Sequence, residues 1–119
     1  MSENVVNASL AEIKEYIEKE LNGNPAPIAD VNVVYQFDLT GDEEDSFQLQ
    51  LNGGQAKVVP TSETTADCKL VMSADSFRKF LTGKLSGTVA FMTGKLKIKG
   101  EIAKAMKLEQ ILKQYNLNG

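Results

Sequence analysis

Hydrophobic side chains alternate with polar ones from Val31 to Met72, and this period of two residues restricts the fold more than any other feature. Because successive side chains of a β-strand point to opposite faces, the alternation predicts strands with one buried face. The Asn52-Gly53-Gly54 turn and neighbouring polar segments divide the stretch into hairpins. These connections favour an antiparallel meander over a parallel Rossmann sheet. The predicted strands cover residues 31–39, 47–51, 56–59 and 68–72.

On both sides of this stretch the hydrophobic period changes to three or four residues, which is typical of amphipathic helices. The first predicted helix covers residues 9–21 and has Ser9 or Asn7 as its cap. The last predicted helix carries a wide apolar arc, which another part of the protein must cover. The other predicted elements are a helix from Ser73 to Gly83, a helical turn at 88–92, a strand at 95–99 and the last helix after Gly100.

The chain has 119 residues, of which 42% are hydrophobic and 24% charged, and this predicts one soluble domain over residues 1–119. It contains no histidine, which excludes imidazole general bases, Ser-His-Asp triads and histidine metal sites. The single cysteine, Cys68, alternates in phase with Leu70 and Met72, so we expect a buried small hydrophobe. The start of the chain lacks a signal-peptide pattern, and no apolar run has the length of a membrane span. We therefore expect a soluble protein of a reducing compartment.

Charge is divided unevenly along the chain. Residues 1–68 carry three basic and thirteen acidic side chains, a balance of −10, whereas residues 69–119 carry ten basic and three acidic ones, a balance of +7. Two interpretations stay open: an ordinary solvated surface, or a basic side that docks weakly on anionic surfaces. Nucleic acid is disfavoured because the net charge is −3 and Arg78 is the only arginine.

Two motifs suggest ligand chemistry, but neither has the required pattern. Leucine follows both Gly83-Lys84 and Gly94-Lys95, whereas a phosphate-binding loop requires Ser or Thr after the lysine. Residues Phe91–Leu96 repeat the pattern of Phe80–Leu85. This repeat indicates two helices that end in the same way, each at a Gly-Lys pair. The acidic run at 42–45 lacks the ligand spacing of a calcium loop and indicates a solvated hairpin tip. We expect no catalytic residue, no cofactor and no metal site.

A group of hydrophobic side chains on the predicted helices remains to be explained. One interpretation is a plain core, and the other is a deformable cavity for a variable apolar ligand, because methionine and phenylalanine suit both. Composition does not separate the two interpretations. The group consists of Phe77, Phe80, Leu81, Phe91, Met92 and Met106.

The segment from Ala66 to Tyr115 resembles the sterol carrier protein type 2 family. The similarity lies in short motifs that follow one another in the family's order and spacing. The helix, strand and hairpins of the first half also resemble the family, so the resemblance covers nearly the whole chain. The motifs are Ala66–Cys68, Met72–Phe77, Thr82–Leu85, Ala90–Met92, Gly94–Gly100 and Met106–Leu108.

This resemblance implies an α+β fold with a five-stranded, mostly antiparallel sheet, about five helices packed on one face, and an apolar tunnel between them. It also implies non-catalytic binding and intermembrane transfer of lipids. Fatty acids, fatty acyl-CoA and phospholipid are the implied ligands, with sterol as a further candidate. The ligand-binding residues that it implies are Phe37, Phe80, Leu81, Leu85, Thr88, Phe91, Met92, Ile102, Ala103 and Met106.

The expected partners are a lipid or fatty acyl ligand and, transiently, an anionic membrane surface; we expect no nucleic acid and a monomer. The chain ends Leu117-Asn118-Gly119 instead of in a peroxisomal tripeptide, which favours a protein of the bacterial cytoplasm or, as the alternative, a domain cut from a longer peroxisomal chain. The alternative function is an accessory or interaction module whose apolar groove is core or holds a partner segment. A small hydrolase or acyl transferase is disfavoured for want of a base. The lysines expected at the membrane are Lys95, Lys97, Lys99, Lys104 and Lys107.

Overall fold

Five strands form one sheet in the computed structural model, which describes residues 8–61, 65–115 and 117. The predicted α+β fold is confirmed. Three of the four strand pairings are antiparallel, so the sheet is mostly antiparallel, as predicted. Within the described residues there are four α-helices and a 3-10 helix at Ala26–Ile28, where about five helices were predicted. The other elements are α1 Leu10–Gly23, β1 Asn32–Thr40, β2 Asp45–Asn52, β3 Gln55–Pro60, β4 Cys68–Ser73, α2 Ala74–Leu81, α3 Gly87–Met92, β5 Lys97–Gly100 and α4 Ile102–Leu112.

Helix α1 begins with a capping box. The Ser9 hydroxyl accepts a hydrogen bond from the Glu12 backbone N–H at 3.1 Å, and the Glu12 carboxylate accepts one from the Ser9 N–H at 3.0 Å. Ser9 is therefore the cap, and Asn7 lies outside the described residues. Helix α1 has 14 residues, and no helix in the described part of the chain combines the length and hydrophobicity needed to cross a membrane.

The outer edge of β3 is covered by side chains of α1. The Asn22 amide donates to the Ala56 carbonyl at 2.8 Å and accepts from the Ala56 N–H at 2.8 Å, as a neighbouring strand would. The Glu18 carboxylate accepts from the Val58 N–H, also at 2.8 Å. These contacts occupy the backbone groups of an edge strand that would otherwise be free to pair with another chain.

The meander prediction is correct for β1 to β3 and wrong for β4. The strand order is β3-β2-β1-β4-β5, and β4 pairs with β1 in parallel, aligning Phe37 with Leu70 and Leu39 with Met72. The physical reason is that α1 already occupies the free edge of β3, whereas the second edge of β1 is open. The chain therefore crosses from β3 over two strands before β4 begins, and β5 then pairs antiparallel with β4.

Three phenylalanines join the sheet to α2. The Phe37 and Phe47 rings on β1 and β2 stack with centroids 5.3 Å apart, and Phe77 of α2 lies 5.1 Å and 5.7 Å from them. All three side chains are buried. Aromatic contacts of this kind stabilise a core beyond the area that they bury. They fix α2 over the helix-facing side of the sheet.

Helices α2 and α3 end in the same way, which confirms the explanation given for the repeated motif. After α2, the Gly83 N–H donates to the Phe80 carbonyl and the Lys84 N–H to the Lys79 carbonyl. After α3, Gly94 and Lys95 repeat this pattern with the carbonyls of Phe91 and Ala90. Both glycines have positive φ, 78° and 80°, which completes a Schellman motif at each end.

Helix α4 is held to the sheet by a buried tyrosine. The Tyr35 hydroxyl, on the central strand β1, donates to the Lys104 backbone carbonyl at 2.7 Å. Burial raises the pKa of Tyr35 well above its ordinary value, and burial also raises the pKa of its neighbour Cys68. The predicted burial of Cys68 is confirmed at 1% exposure.

We expect the protein to lose stability at alkaline pH through these two groups. Above about pH 9 the unfolded chain releases protons that the folded protein retains, so the free energy of unfolding falls by up to about 1.4 kcal/mol per pH unit and group. Tyr35→Phe should lower stability at pH 7 by about 1–2 kcal/mol, because the Lys104 carbonyl loses its donor. Between pH 9 and about pH 11, the free energy of unfolding of the variant, measured by urea denaturation, should fall by less than that of the wild type. Equal alkaline losses in both proteins would contradict this account.

Candidate functional site

The implied ligand-binding residues lie in three places. Phe37 belongs to the aromatic core and is only 2% exposed. Phe80 and Leu81, at the end of α2, line a cavity. The third group occupies α3, the loop before it and the first turns of α4: Leu85, Thr88, Phe91, Met92, Ile102, Ala103 and Met106.

The cavity lies between the ends of α2 and α4 and has a volume of about 180 Å³. Phe80, Leu81 and Leu112 supply buried hydrophobic side chains to its wall. Glu109 and Lys113 add charged groups. The wall therefore combines apolar and polar groups, which suits a ligand that has both. The remaining lining residues are Thr82, Gly83, Tyr115 and Leu117.

The segment after α4 is fixed at the end of α1. The Tyr115 hydroxyl donates to the Asn24 carbonyl at 2.7 Å, and burial raises the pKa of this tyrosine above its ordinary value. Leu117 is buried nearby in the cavity wall. The C-terminal segment thus closes one side of the cavity.

Glu109 connects α4 to the start of α3. Its carboxylate accepts a hydrogen bond from the Gly87 backbone N–H at 3.0 Å, and the Lys113 ammonium lies 4.0 Å from the same carboxylate. A Cβ at position 87 would lie 2.8 Å from the Glu109 carboxylate and 3.3 Å from the Phe80 ring. Glycine therefore permits this close approach. We call this hydrogen bond the Gly87–Glu109 contact.

Helix α3 buries little of its own surface. Of its six residues only Gly87 and Ala90 are buried. Large hydrophobic side chains that are exposed side by side mark surfaces that bind ligands, proteins or membranes. Four large hydrophobic side chains of α3 and the first turn of α4 are exposed and are here called the α3 tip: Val89 at 53% exposure, Phe91 at 40%, Met92 at 79% and, on α4, Ile102 at 47%.

Met106 lies between the α3 tip and the core. The Thr88 hydroxyl is 3.6 Å from the Met106 sulfur, which joins the middle of α4 to α3. Met106 and Leu85 are half-buried and pack against the core, whereas Ala103 is exposed. The structure therefore brings Thr88 and Met106 together, places part of the α3 tip beside them on the surface, and leaves Phe37 in the core.

Sequence reasoning missed several residues of this region. The apolar arc of the last helix included Leu112 and Tyr115, but nothing in it distinguished a cavity wall from ordinary core. No pattern identified Gly87 and Glu109, because their contact depends on the close packing of α3 against α4. The exposure of Val89 was equally hidden, since a valine on a short helix normally indicates core.

Two observations concern reactive side chains and metal ligands among the described residues. Burial disfavours the thiolate form of Cys68, which is the reactive form. In residues 8–61, 65–115 and 117, no three His, Cys, Asp or Glu side chains lie close enough together to hold a metal ion.

The five lysines that we expect at the membrane fall into two groups. The Lys104 ammonium is 3.1 Å from the Glu101 carboxylate, and Lys107 lines a groove beside the 3-10 helix. In the other group, two lysines line a depression next to the ends of β1 and β4 and the third lies on β5. No member of this second group forms an ion pair with a described residue; it consists of Lys95, Lys97 and Lys99.

Comparison with known proteins gives a consistent family. The model of the SCP-2 sterol transfer family matches residues 13–113. Hydroxysteroid dehydrogenase-like protein 2 of Xenopus tropicalis is 47% identical over 85 residues, which cover 70% of this chain and 20% of that protein. The chain therefore spans about a fifth of this curated relative.

Two solved structures are similar over most of their length. The apo form of sterol carrier protein 2 from Yarrowia lipolytica has a TM-score of 0.73 and 31% identity, and the match covers 89% of this chain and 91% of that one. The Aedes aegypti sterol carrier protein-2 complex with palmitate shares the fold, with a TM-score of 0.67, 20% identity and coverage of 91% and 99%. Because the family model spans residues 13–113 and the Yarrowia lipolytica protein matches over nearly its whole length, the chain belongs to the SCP-2 sterol transfer family.

Proposed function

We propose that this protein binds a lipid with a long acyl chain in an apolar tunnel between sheet and helices, and transfers it between membranes without catalysis. The observation that carries the proposal is the arrangement of the helices around Met106. A cavity lined by both apolar and polar groups lies at the ends of α2 and α4, and unburied hydrophobic side chains lie where α3 meets the start of α4. Membership of the SCP-2 family supports a lipid ligand, and the palmitate complex of the Aedes aegypti protein supports a fatty acid.

Burial of an acyl chain supplies enough free energy for such binding. At about 0.8 kcal/mol per methylene, a sixteen-carbon chain gains about 10 kcal/mol before ordering and association oppose it. Micromolar binding requires about 8 kcal/mol. Fatty acids, fatty acyl-CoA and phospholipid are therefore the first candidates, with sterol after them.

The cavity has to enlarge before it accepts such a chain. Its volume of about 180 Å³ is smaller than the roughly 300–1,000 Å³ of ordinary ligand pockets. The radius of gyration is 13.0 Å, so a long acyl chain has to run through the core. Separation of α3 from α4 is the simplest opening, because one hydrogen bond to Glu109 and one weak contact to Met106 hold them.

The remaining parts of the proposal concern the setting. Residues 1–119 act as one domain, as a monomer in the cytoplasm. Transfer requires a brief contact with each membrane, and the C-terminal lysines supply positive charge for it. Apart from Phe37, which lies in the core, the ligand-binding residues implied by the resemblance act as two groups, with Phe80 and Leu81 in the cavity wall and the residues around Met106 at the opening.

Displacement of a fluorescent fatty acid by palmitate tests the function, and Met106→Gln tests the position of the ligand. The wild type should bind the probe at micromolar concentration. In Met106→Gln an amide without a partner faces the acyl chain, which should weaken binding about 10-fold or more. Met106→Leu is the matched control and should bind within about threefold of the wild type.

Two results would contradict the proposal. One is a wild type that binds no probe. The other is a Met106→Gln protein that binds the probe like the wild type but has a free energy of unfolding lower by about 1–3 kcal/mol. Met106 would then be ordinary core. That second result favours the alternative function, an accessory module with a solid interior.

Removal of the Gly87–Glu109 contact should speed ligand release. In Gly87→Ala the new Cβ displaces the Glu109 carboxylate, so α3 is held less firmly against α4. We expect fatty acid dissociation, followed by stopped-flow fluorescence, to become about 3- to 10-fold faster, since a hydrogen bond to a charged group is lost. Glu109→Gln retains an acceptor for the Gly87 N–H and should change the rate less. Unchanged dissociation in Gly87→Ala would show that ligands leave by another route.

A further inference from the structure

The α3 tip presents hydrophobic side chains to solvent at one corner of the protein. In α3, Val89 and Met92 are three residues apart and share a side of the helix. Thr88 lies one turn before Met92, and Ile102 lies one turn before Met106 on α4. Because Thr88 contacts Met106, these two helical faces adjoin, and Met92 and Ile102 belong to the same exposed surface.

Positive charge is concentrated around this corner. Residues 76–100, which contain most of α2 and all of α3 and β5, hold six basic side chains and no acidic one, although the whole chain has a net charge of −3. Two of the six are paired, Arg78 with Glu43 at 2.6 Å and Lys79 with Asp75 at 3.2 Å. The other four form no ion pair with a described residue: Lys84, Lys95, Lys97 and Lys99.

The unpaired lysines flank α3 on both sides in the chain. Lys84 follows the Schellman motif of α2, and Lys95 occupies the same position after α3. Lys95 and Lys97 then line one surface depression together with Gly94. Lysine on an edge strand also prevents sheet extension, which accounts for Lys97 and Lys99 on β5. It does not account for Lys84 and Lys95, which lie in the loops around α3.

We propose that the α3 tip, with Lys84 and Lys95 beside it, docks this protein on anionic lipid bilayers. Its hydrophobic side chains enter the boundary between headgroups and acyl chains, and the lysines contact lipid phosphates or carboxylates. A bilayer matches both features at once, because it offers an apolar layer beneath negative charge. A second copy of this protein would bring the same lysines together and is therefore disfavoured by repulsion.

Docking in this orientation deepens the proposed function and rests on it. The α3 tip lies where α3 meets α4, beside Met106 and the Gly87–Glu109 contact. Insertion would therefore pull on α3 at the place where separation from α4 opens the interior. The membrane that receives or donates the lipid would thus also open the protein.

A tryptophan at position 89 tests the docking directly, because the chain contains no other tryptophan. Val89→Trp should show a blue shift of its fluorescence with vesicles of phosphatidylcholine and phosphatidylserine, and little shift with phosphatidylcholine alone. Gln55→Trp is the matched control, because Gln55 is exposed at the start of β3, far from α3 in the sheet order. It should show no shift. Circular dichroism checks that both variants are folded.

Charge variants separate the contribution of the lysines. Lys84→Gln with Lys95→Gln should weaken vesicle binding about fivefold for each lysine, since a basic residue near an anionic surface contributes about a fivefold factor. Lys19→Gln with Lys57→Gln removes two exposed lysines elsewhere and should leave binding within about twofold. Val89→Asp should abolish vesicle binding and still bind the fluorescent fatty acid in the absence of vesicles.

Three outcomes would overturn the docking proposal. The first is that Val89→Trp shows no blue shift with anionic vesicles. The second is that Val89→Asp binds vesicles as well as the wild type does. The third is a blue shift of Val89→Trp that depends on protein concentration without vesicles, which would assign the α3 tip to a dimer. Fatty acid displacement without vesicles reports on the proposed function separately. A protein that binds fatty acid but no vesicle retains its function and loses this docking surface.

Discussion

The pairing of β1 with β4 is the constraint on which the rest of the structure depends. β1 is bonded antiparallel to β2 on one edge and parallel to β4 on the other, so it is buried in the middle of the sheet. The parallel pairing brings the second half of the chain across to the far edge, and α2 and α4 both pack against β4 there. Tyr35 of β1 then reaches the Lys104 carbonyl and holds α4 in place. The cavity between α2 and α4 exists because both helices are fixed to the same central strands.

The way in which the helices are fixed differs along the chain. α2 is held by two buried aromatic contacts of Phe77, with Phe37 and with Phe47. α3 has only Gly87 and Ala90 in the interior, and its ends are closed by local hydrogen bonds. Because α3 buries so little surface, we expect it to move at a lower cost in free energy than α2. Its place beside Met106 is consistent with the ligand entry proposed above.

Much of the fold was predictable from the sequence, because alternation and turn chemistry act locally. The Asn52–Gly54 hairpin, the Ser9 cap and the burial of Cys68 all followed from patterns within a few residues. The partner of β4 did not, since it depends on Asn22 and Glu18 covering a strand far along the chain. The family motifs implied the residues of the site, but no local pattern separates Phe37 in the core from Phe91 at the surface. That distinction depends on how many neighbours the tertiary packing places around each ring.

The measurement that tests the central claim most directly is the identification of lipid carried by the protein. The purified protein is extracted with organic solvent, and the extract is analysed by mass spectrometry against a mock purification. The account predicts lipids with long acyl chains, enriched over the mock and lost after the protein has been exchanged against excess vesicles. An extract without lipid, from a protein that also fails to bind fatty acid at micromolar concentration, would contradict it.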